Sequence, residues 1–215
     1  MKLQLALDEL PLQEALNLAE RVREYIDIIE IGTPFIIAEG MKGVREFKEH
    51  FPEKEILADE KIMDGGYFES ELAFRAGAEY VTALGVTDDL TIKACIKAAE
   101  KFNKQLVVDM ICVEDLPTRI QELESLGAHV LAVHTGADQQ AAGRQPIEDL
   151  RIMKKYAKNA KIAVAGGINS ETIHQYVELE PAIIIVGTGI TKADDPAIEA
   201  KLIKEAMSSA VKGAE

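Results

Sequence analysis

Only two cysteines occur in the 215 residues, Cys95 and Cys112; they lack the CxxC spacing of a redox or zinc site and are too few for a secreted disulfide framework. They read as buried thiols in a reducing compartment. Basic residues are scarce as well: 24 Lys and Arg stand against 37 Asp and Glu, a formal net charge of −13. Such a surface repels phosphate backbones and acidic lipid, so neither nucleic acid nor a membrane is expected as a partner. It repels a phosphorylated metabolite equally, and a site for one must build a local positive field from backbone N–H groups, a lysine or a metal. Long apolar runs are missing too. The opening MKLQLALDEL meets acids after a short apolar stretch, unlike a signal-peptide core or a spanning segment, and a cytoplasmic location is the expectation. No Pro/Gly/Ser-rich linker or low-complexity run divides the chain, and with 47% hydrophobic residues a single domain over 1–215 is expected.

What is present is a regular alternation of short apolar runs with longer amphipathic stretches, the pattern of repeated βα units. Eight strands are expected, at Leu3–Leu7, Ile26–Ile31, Ile56–Ala58, Tyr80–Leu84, Leu106–Asp109, Val130–Val133, Ile162–Ala165 and Ile183–Val186. Their consecutive Val, Ile and Leu suit parallel strands covered on both faces. Helices are expected near Pro11–Arg23, Gly43–His50, Phe68–Ala76, Asp89–Phe102, Leu116–Leu126, Ile147–Ala157, Ser170–Val177 and Pro196–Ser209, with Gly77 and Gly127 as stop signals and Asn169-Ser170 as a start. Eight units point to an α/β fold of the (β/α)₈ TIM-barrel type, a doubly wound sheet being the alternative. The longest expected loop is Thr135–Gln145, and loops of that length at a strand's C-terminal end are often functional.

Chemistry in such a barrel collects where strands run out into βα loops. The residues there are Asp8, Glu30, the run Asp59-Glu60-Lys61 followed by Asp64, Asp109 and His134, with Gly166-Gly167 and Gly187-Thr188-Gly189 ending the last two strands. A single acid at such a point is most often a helix cap or a surface charge. Six ionisable residues on five strand ends, Asp8, Glu30, Asp59, Lys61, Asp109 and His134, are expected to share one mouth, where so many carboxylates need a cation. Glu30 and Asp59, on adjacent strands, suit a hard oxygen-preferring ion such as Mg²⁺. Lys61 is expected to point into the same mouth, flanked by Asp59 and Asp64, as a fixed cation rather than a Schiff-base amine. The glycines let N–H groups approach an anion, so Gly166, Gly167, Gly187, Thr188 and Gly189 form the expected phosphate site, aided by a helix start. Glu60 reads as a solvated rim residue, Arg144 as either a lid contact or exposed, and His50, His129 and His174 as surface or packing residues.

The segment Asp59-Glu60-Lys61-Ile62-Met63-Asp64 carries the Asp-x-Lys-x-x-Asp motif of the orotidine monophosphate decarboxylase suprafamily. Further blocks, Glu30–Pro34, Val108–Cys112, His134–Gly143 and Ala163–Asn169, extend the resemblance nearly end to end and within the suprafamily point to the 3-hexulose-6-phosphate synthase group. That resemblance implies a Mg²⁺-dependent aldolase adding formaldehyde to the sugar phosphate D-ribulose 5-phosphate through an enediolate, with Glu30 and Asp59 as metal ligands. Lys61 would stabilise the developing charge and His134 move the proton, while Asp8, Asp64 and Asp109 orient Lys61 and substrate hydroxyls. The related 3-keto-L-gulonate-6-phosphate decarboxylases, or a sugar-phosphate epimerase, are the alternative; the decarboxylases typically carry arginine where Ala137 stands and glutamate in place of Asp109, and both differences favour the synthase group. A metabolite-binding barrel without catalysis is a remote third reading. Thr188 stands where related members often place a phosphate-binding arginine, so phosphate affinity is expected to rest more on backbone donors. The resemblance also implies a homodimer in which Asp64 completes the partner's site.

Overall fold

In a computed structural model describing residues 1–212, eight strands pair in parallel and in sequence order, and β8 closes on β1. The first half of the chain runs β1 (Lys2–Leu7), α1 (Leu12–Val22), β2 (Ile28–Ile31), α2 (Thr33–Glu39), α3 (Met41–His50), β3 (Glu55–Ile62), α4 (Gly66–Ala76), β4 (Tyr80–Leu84) and α5 (Asp89–Phe102). The second half runs β5 (Gln105–Asp109), α6 (Leu116–Leu126), β6 (Val130–His134), α7 (Ala137–Ala141), α8 (Ile147–Tyr156), β7 (Lys161–Ala165), α9 (Ile173–Val177), β8 (Ile183–Val186), α10 (Thr188–Thr191) and α11 (Pro196–Lys212). This is the (β/α)₈ barrel that the alternation of the sequence implies. Among the described residues no helix is long and apolar enough to cross a membrane.

Two apolar layers arise because side chains alternate across each strand. Ile28, Leu57, Tyr80, Val107, Val130, Ala163 and Ile183 point inward and fill the barrel. Their neighbours one residue away, such as Ile29, Ile56, Val81, Val108 and Ile184, point outward and pack beneath the helices. Period two then fixes the upper end. Two residues beyond Ile28 lies Glu30, beyond Leu57 lies Asp59, beyond Tyr80 lies Thr82, beyond Val107 lies Asp109, and beyond Ala132 lies His134; all five line one cavity at the strands' C-terminal ends.

Several boundaries differ from the sequence expectation. β3 continues through the motif to Ile62, so Asp59 and Lys61 belong to a strand and not to the loop after it. Lys61 occupies the left-handed region at φ 50°, where the register between β3 and β4 shifts between Ala58 and Ile62. Such a bulge re-aims a side chain and is invisible to a hydrophobicity pattern. The expected loop Thr135–Gln145 contains the short helix α7, and α2 and α10 are additional turns. Cys95 is buried as expected, whereas Cys112, at φ 61° on the β5–α6 loop, is exposed.

Candidate active site

The cavity at the barrel mouth measures about 390 Å³. On one wall, Asp59, 5% exposed, is gripped from both sides: the Thr82 hydroxyl donates to its Oδ1 at 2.7 Å, the Thr33 hydroxyl reaches its Oδ2 at 2.9 Å, and the Lys61 ammonium donates to the same Oδ2. Thr82 also accepts from the Lys61 backbone N–H at 2.9 Å, so one hydroxyl holds both the acid and the bulge. Neither threonine was singled out from the sequence. Thr82 could have been, as the polar residue in the apolar strand YVTAL, two positions beyond an inward-facing tyrosine.

Lys61 Nζ also lies 3.6 Å from Asp109 Oδ2. Burial works against its charge, but Asp59 and Asp109 outweigh burial and hold its pKa above the ordinary value. The amine therefore stays an ammonium. Asp109 accepts from the Ile111 N–H at 2.9 Å and meets His134 Nδ1 at 2.8 Å. Burial pushes the Asp109 carboxyl up, yet the His134 hydrogen bond and the charges of His134 and Lys61 prevail and leave it below its usual value. An ionised carboxylate only accepts, so His134 Nδ1 carries the proton and the lone pair of a neutral ring sits on Nε2.

On the adjacent strand β2, Glu30 is 9% exposed and accepts from Gln4 Nε2 at 2.6 Å. Burial first, and Asp59 second, raise its pKa well above its ordinary value. Asp8 sits at the open rim, packed so closely over Gly32 that a Cβ there would lie 2.1 Å from Asp8 Oδ1. Its pKa is raised by partial burial and then by Asp59. Gln4 Oε1 is buried without a hydrogen-bond partner, a further sign that this polar floor is incompletely satisfied. Among the described residues no group of three or more His, Cys, Asp or Glu side chains is arranged to hold a metal ion. A pair of carboxylates still suits a cation that completes its shell with water and substrate oxygens.

The far wall is backbone. Gly166, Gly167, Gly187, Thr188 and Gly189 all line the cavity, and among the described residues the N–H groups of Gly166, Gly167 and Gly187 donate to no other backbone group. Gly166 adopts φ +125°, a conformation costly to any side chain. At Gly189 a Cβ would stand 2.2 Å from the Ile168 carbonyl. Gln140, from α7, closes this side by donating to the Thr135 carbonyl at 2.7 Å. The helix start expected to help here is only the four-residue α10, too short to carry an appreciable dipole.

Two expectations need correction. Asp64 does not flank Lys61: its carboxylate is exposed and accepts from the adjacent Gly65 N–H at 2.7 Å, outside the residues lining its own chain's cavity. Of the two readings of Arg144 the exposed one holds: it is exposed, pairs with Asp149 at 2.8 Å and lies outside the cavity lining. Glu60 is no solvated rim residue. The strand alternation turns it away from the mouth, its Oε2 is buried without a partner, and burial, then Glu69 and Asp59, push its pKa up to about 8. An acid whose folded pKa exceeds its unfolded one binds more protons in the folded state, so stability falls as pH climbs from about 4.5 toward 8. Glu60→Gln is expected to gain on the order of 2 kcal/mol near pH 8, seen as a thermal midpoint about 4–8 °C higher. An unchanged or lower midpoint at that pH would refute this.

The Orotidine 5'-phosphate decarboxylase / HUMPS family model matches residues 1–203. The chain belongs to this family. Among members of known sequence, the 3-hexulose-6-phosphate synthase of Staphylococcus haemolyticus (strain JCSC1435) is 49% identical over 207 residues, covering 96% of this chain and 99% of that one. The crystal structure of 3-hexulose-6-phosphate synthase from Salmonella typhimurium superposes with a TM-score of 0.97 at 58% identity, over 98% of this chain and 100% of the other. A second branch is more distant. The 3-keto-L-gulonate-6-phosphate decarboxylase of Vibrio cholerae O1 biovar El Tor gives 0.85 at 27% identity, over 97% of each chain. Family membership thus accounts for the barrel and the order of its motifs.

Proposed function

We propose that this chain is a 3-hexulose-6-phosphate synthase, an aldolase that joins formaldehyde to D-ribulose 5-phosphate. The observation carrying this reading is one connected set, Asp59, Lys61, Asp109 and His134, facing a wall of unpaired backbone N–H groups in the same cavity. A phosphate on that wall would leave the ketone end of the sugar toward the charged set. Identities of 49% and 58% to synthases, against 27% to a decarboxylase, favour this reaction over decarboxylation or epimerisation. A cytoplasmic location is kept on the composition.

His134 Nε2 removes a proton from the hydroxymethyl carbon beside the ketone, with Asp109 fixing the ring's tautomer and stabilising the imidazolium that forms. Lys61 stands against the enediolate oxygens as their negative charge develops, an interaction stronger in the transition state than in the ground state. The enediolate carbon then attacks formaldehyde, forming the new C–C bond, and the resulting alkoxide takes a proton from the site. Asp8, at the rim, orients substrate hydroxyls. Glu30 and Asp59 would hold a Mg²⁺ ion; its fit rests on two adjacent carboxylates, one of them buried with its charge disfavoured until a cation arrives. When bound, that ion supplies Lewis-acid charge to substrate oxygens.

A homodimer is part of the proposal. Ile37, Met63, Phe68, Leu72, Val86 and Leu90 are large apolar side chains left exposed on the segments following β2, β3 and β4. The Thr87 hydroxyl ties two of these segments by donating to the Met63 carbonyl at 2.6 Å. An apolar face of that kind marks an association surface, and Asp64 stands within it. The deciding assay measures formaldehyde-dependent consumption of ribulose 5-phosphate with and without a chelator. Turnover should fall by about 10²-fold or more on chelation and return with Mg²⁺. Turnover indifferent to the chelator sinks the metal, and faster turnover of 3-keto-L-gulonate 6-phosphate sinks the choice of reaction.

A further inference from the structure

The proposed phosphate end of the cavity faces a charge problem. Asp8, Glu9, Glu30, Asp59 and Asp109 all line the same cavity, and backbone N–H groups offer only partial positive charges against a dianion entering beside them. Lys61 is already committed to Asp59 and Asp109. Among the described residues lining the cavity there is one other lysine, Lys192. It ends the turn that begins at Thr188, its N–H donating to the Thr188 carbonyl at 3.0 Å, and it lines the cavity beside Gly187, Gly189 and Thr191. Its Nζ meets Glu9 Oε2 at 3.1 Å, and the two side chains are 63% and 73% exposed. An ion pair so open to water contributes little, so exchanging it for a more highly charged anion costs little.

We propose that Lys192 binds the phosphate of the substrate, and that Glu9 holds its ammonium at the rim until the phosphate takes its place. The proposal rests on the sugar-phosphate reading above and adds to it the cation that Thr188 does not provide. The two lysines then divide the labour. Lys61 serves the reacting end, where charge develops, and Lys192 serves an end whose charge is constant. Loss of Lys192 should therefore weaken binding without slowing the bound complex, since its interaction is the same in ground and transition states.

Two readouts test this: the KM and kcat for ribulose 5-phosphate with formaldehyde, and calorimetric titration with inorganic phosphate, which requires no turnover. Lys192→Gln is expected to raise both KM and the phosphate dissociation constant about tenfold while kcat stays within about twofold, and Lys192→Arg should restore most of the loss. Glu9→Gln, which frees the ammonium, is expected to tighten both constants about twofold. Constants for Lys192→Gln within about twofold of the parent, or a fall in kcat at unchanged KM, would overturn the proposal. Weaker phosphate binding in Glu9→Gln would overturn the hand-over. Should the parent protein show no aldol turnover while Lys192→Gln still loses phosphate, the aldolase reading fails and the phosphate role of Lys192 stands.

Discussion

Lys61→Ala should lower kcat/KM by on the order of 10³ or more, with the barrel still folded. The expectation follows from where the ammonium stands. Two buried carboxylates, Asp59 and Asp109, keep it charged, and the bulge that gives Lys61 a φ of 50° turns it into the cavity. A preorganised donor facing charge that appears only in the transition state is worth about 10²–10³ in rate by itself. Here the same lysine also balances Asp109, which fixes the proton on His134 Nδ1, so its removal disturbs the base as well. Stability should drop too, on the order of 2 kcal/mol, because Asp59 and Asp109 lose a partner while remaining out of water. Steady-state kinetics and a thermal melt check both parts. Activity within about tenfold of the parent would remove Lys61 from the mechanism, whatever the melt shows.

The second large effect concerns Asp64. Alone, Asp64→Ala should be nearly inactive although Asp64 lies outside the lining of its own chain's mouth cavity, and that combination is the signature of a residue serving a neighbour. Among the described residues its exposed carboxylate accepts from the adjacent Gly65 N–H alone, so it is no helix cap, and Met63 before it and Phe68 four residues on are exposed. Mixing inactive Asp64→Ala with inactive Lys61→Ala protein should yield heterodimers in which one of two sites carries both native residues. Counting sites under two-fold symmetry, such a heterodimer should recover about half the parent activity. If subunit exchange is demonstrated and no activity returns, Asp64 acts within its own chain or has no part in the reaction.

The barrel was legible because eight short apolar runs alternate with amphipathic helices, and a parallel sheet buried on both faces demands that pattern. Glu30, Asp59, Asp109 and His134 were legible for a related reason: each lies two residues beyond an inward-facing apolar residue at the end of its strand. Asp64 shows the limit. Its place three residues after Lys61 suggested a shared mouth, but β3 ends at Ile62, before Asp64, and the carboxylate lies exposed against the Gly65 N–H. Glu60 failed for the opposite reason. Proximity in sequence to Asp59 and Lys61 implied the rim, while strand alternation sends it to the outer face, beneath the helices.

By itself, then, the amino-acid order determined the repeat, the identity of the strand-end acids and the glycines of the far wall, since these depend on local periodicity and on residue types at the ends of runs. Only the tertiary structure decided how they meet. The contacts that tune the site join positions far apart in the chain: Thr82 with Asp59, His134 with Asp109, Gln4 with Glu30, and Lys192 with Glu9. Each depends on the closure of eight strands, which brings β8 against β1, and on a bulge in β3 that re-aims one lysine. A one-dimensional pattern records which face a residue takes, but not which distant residue it finds there, because that partner is selected by packing the whole sheet at once.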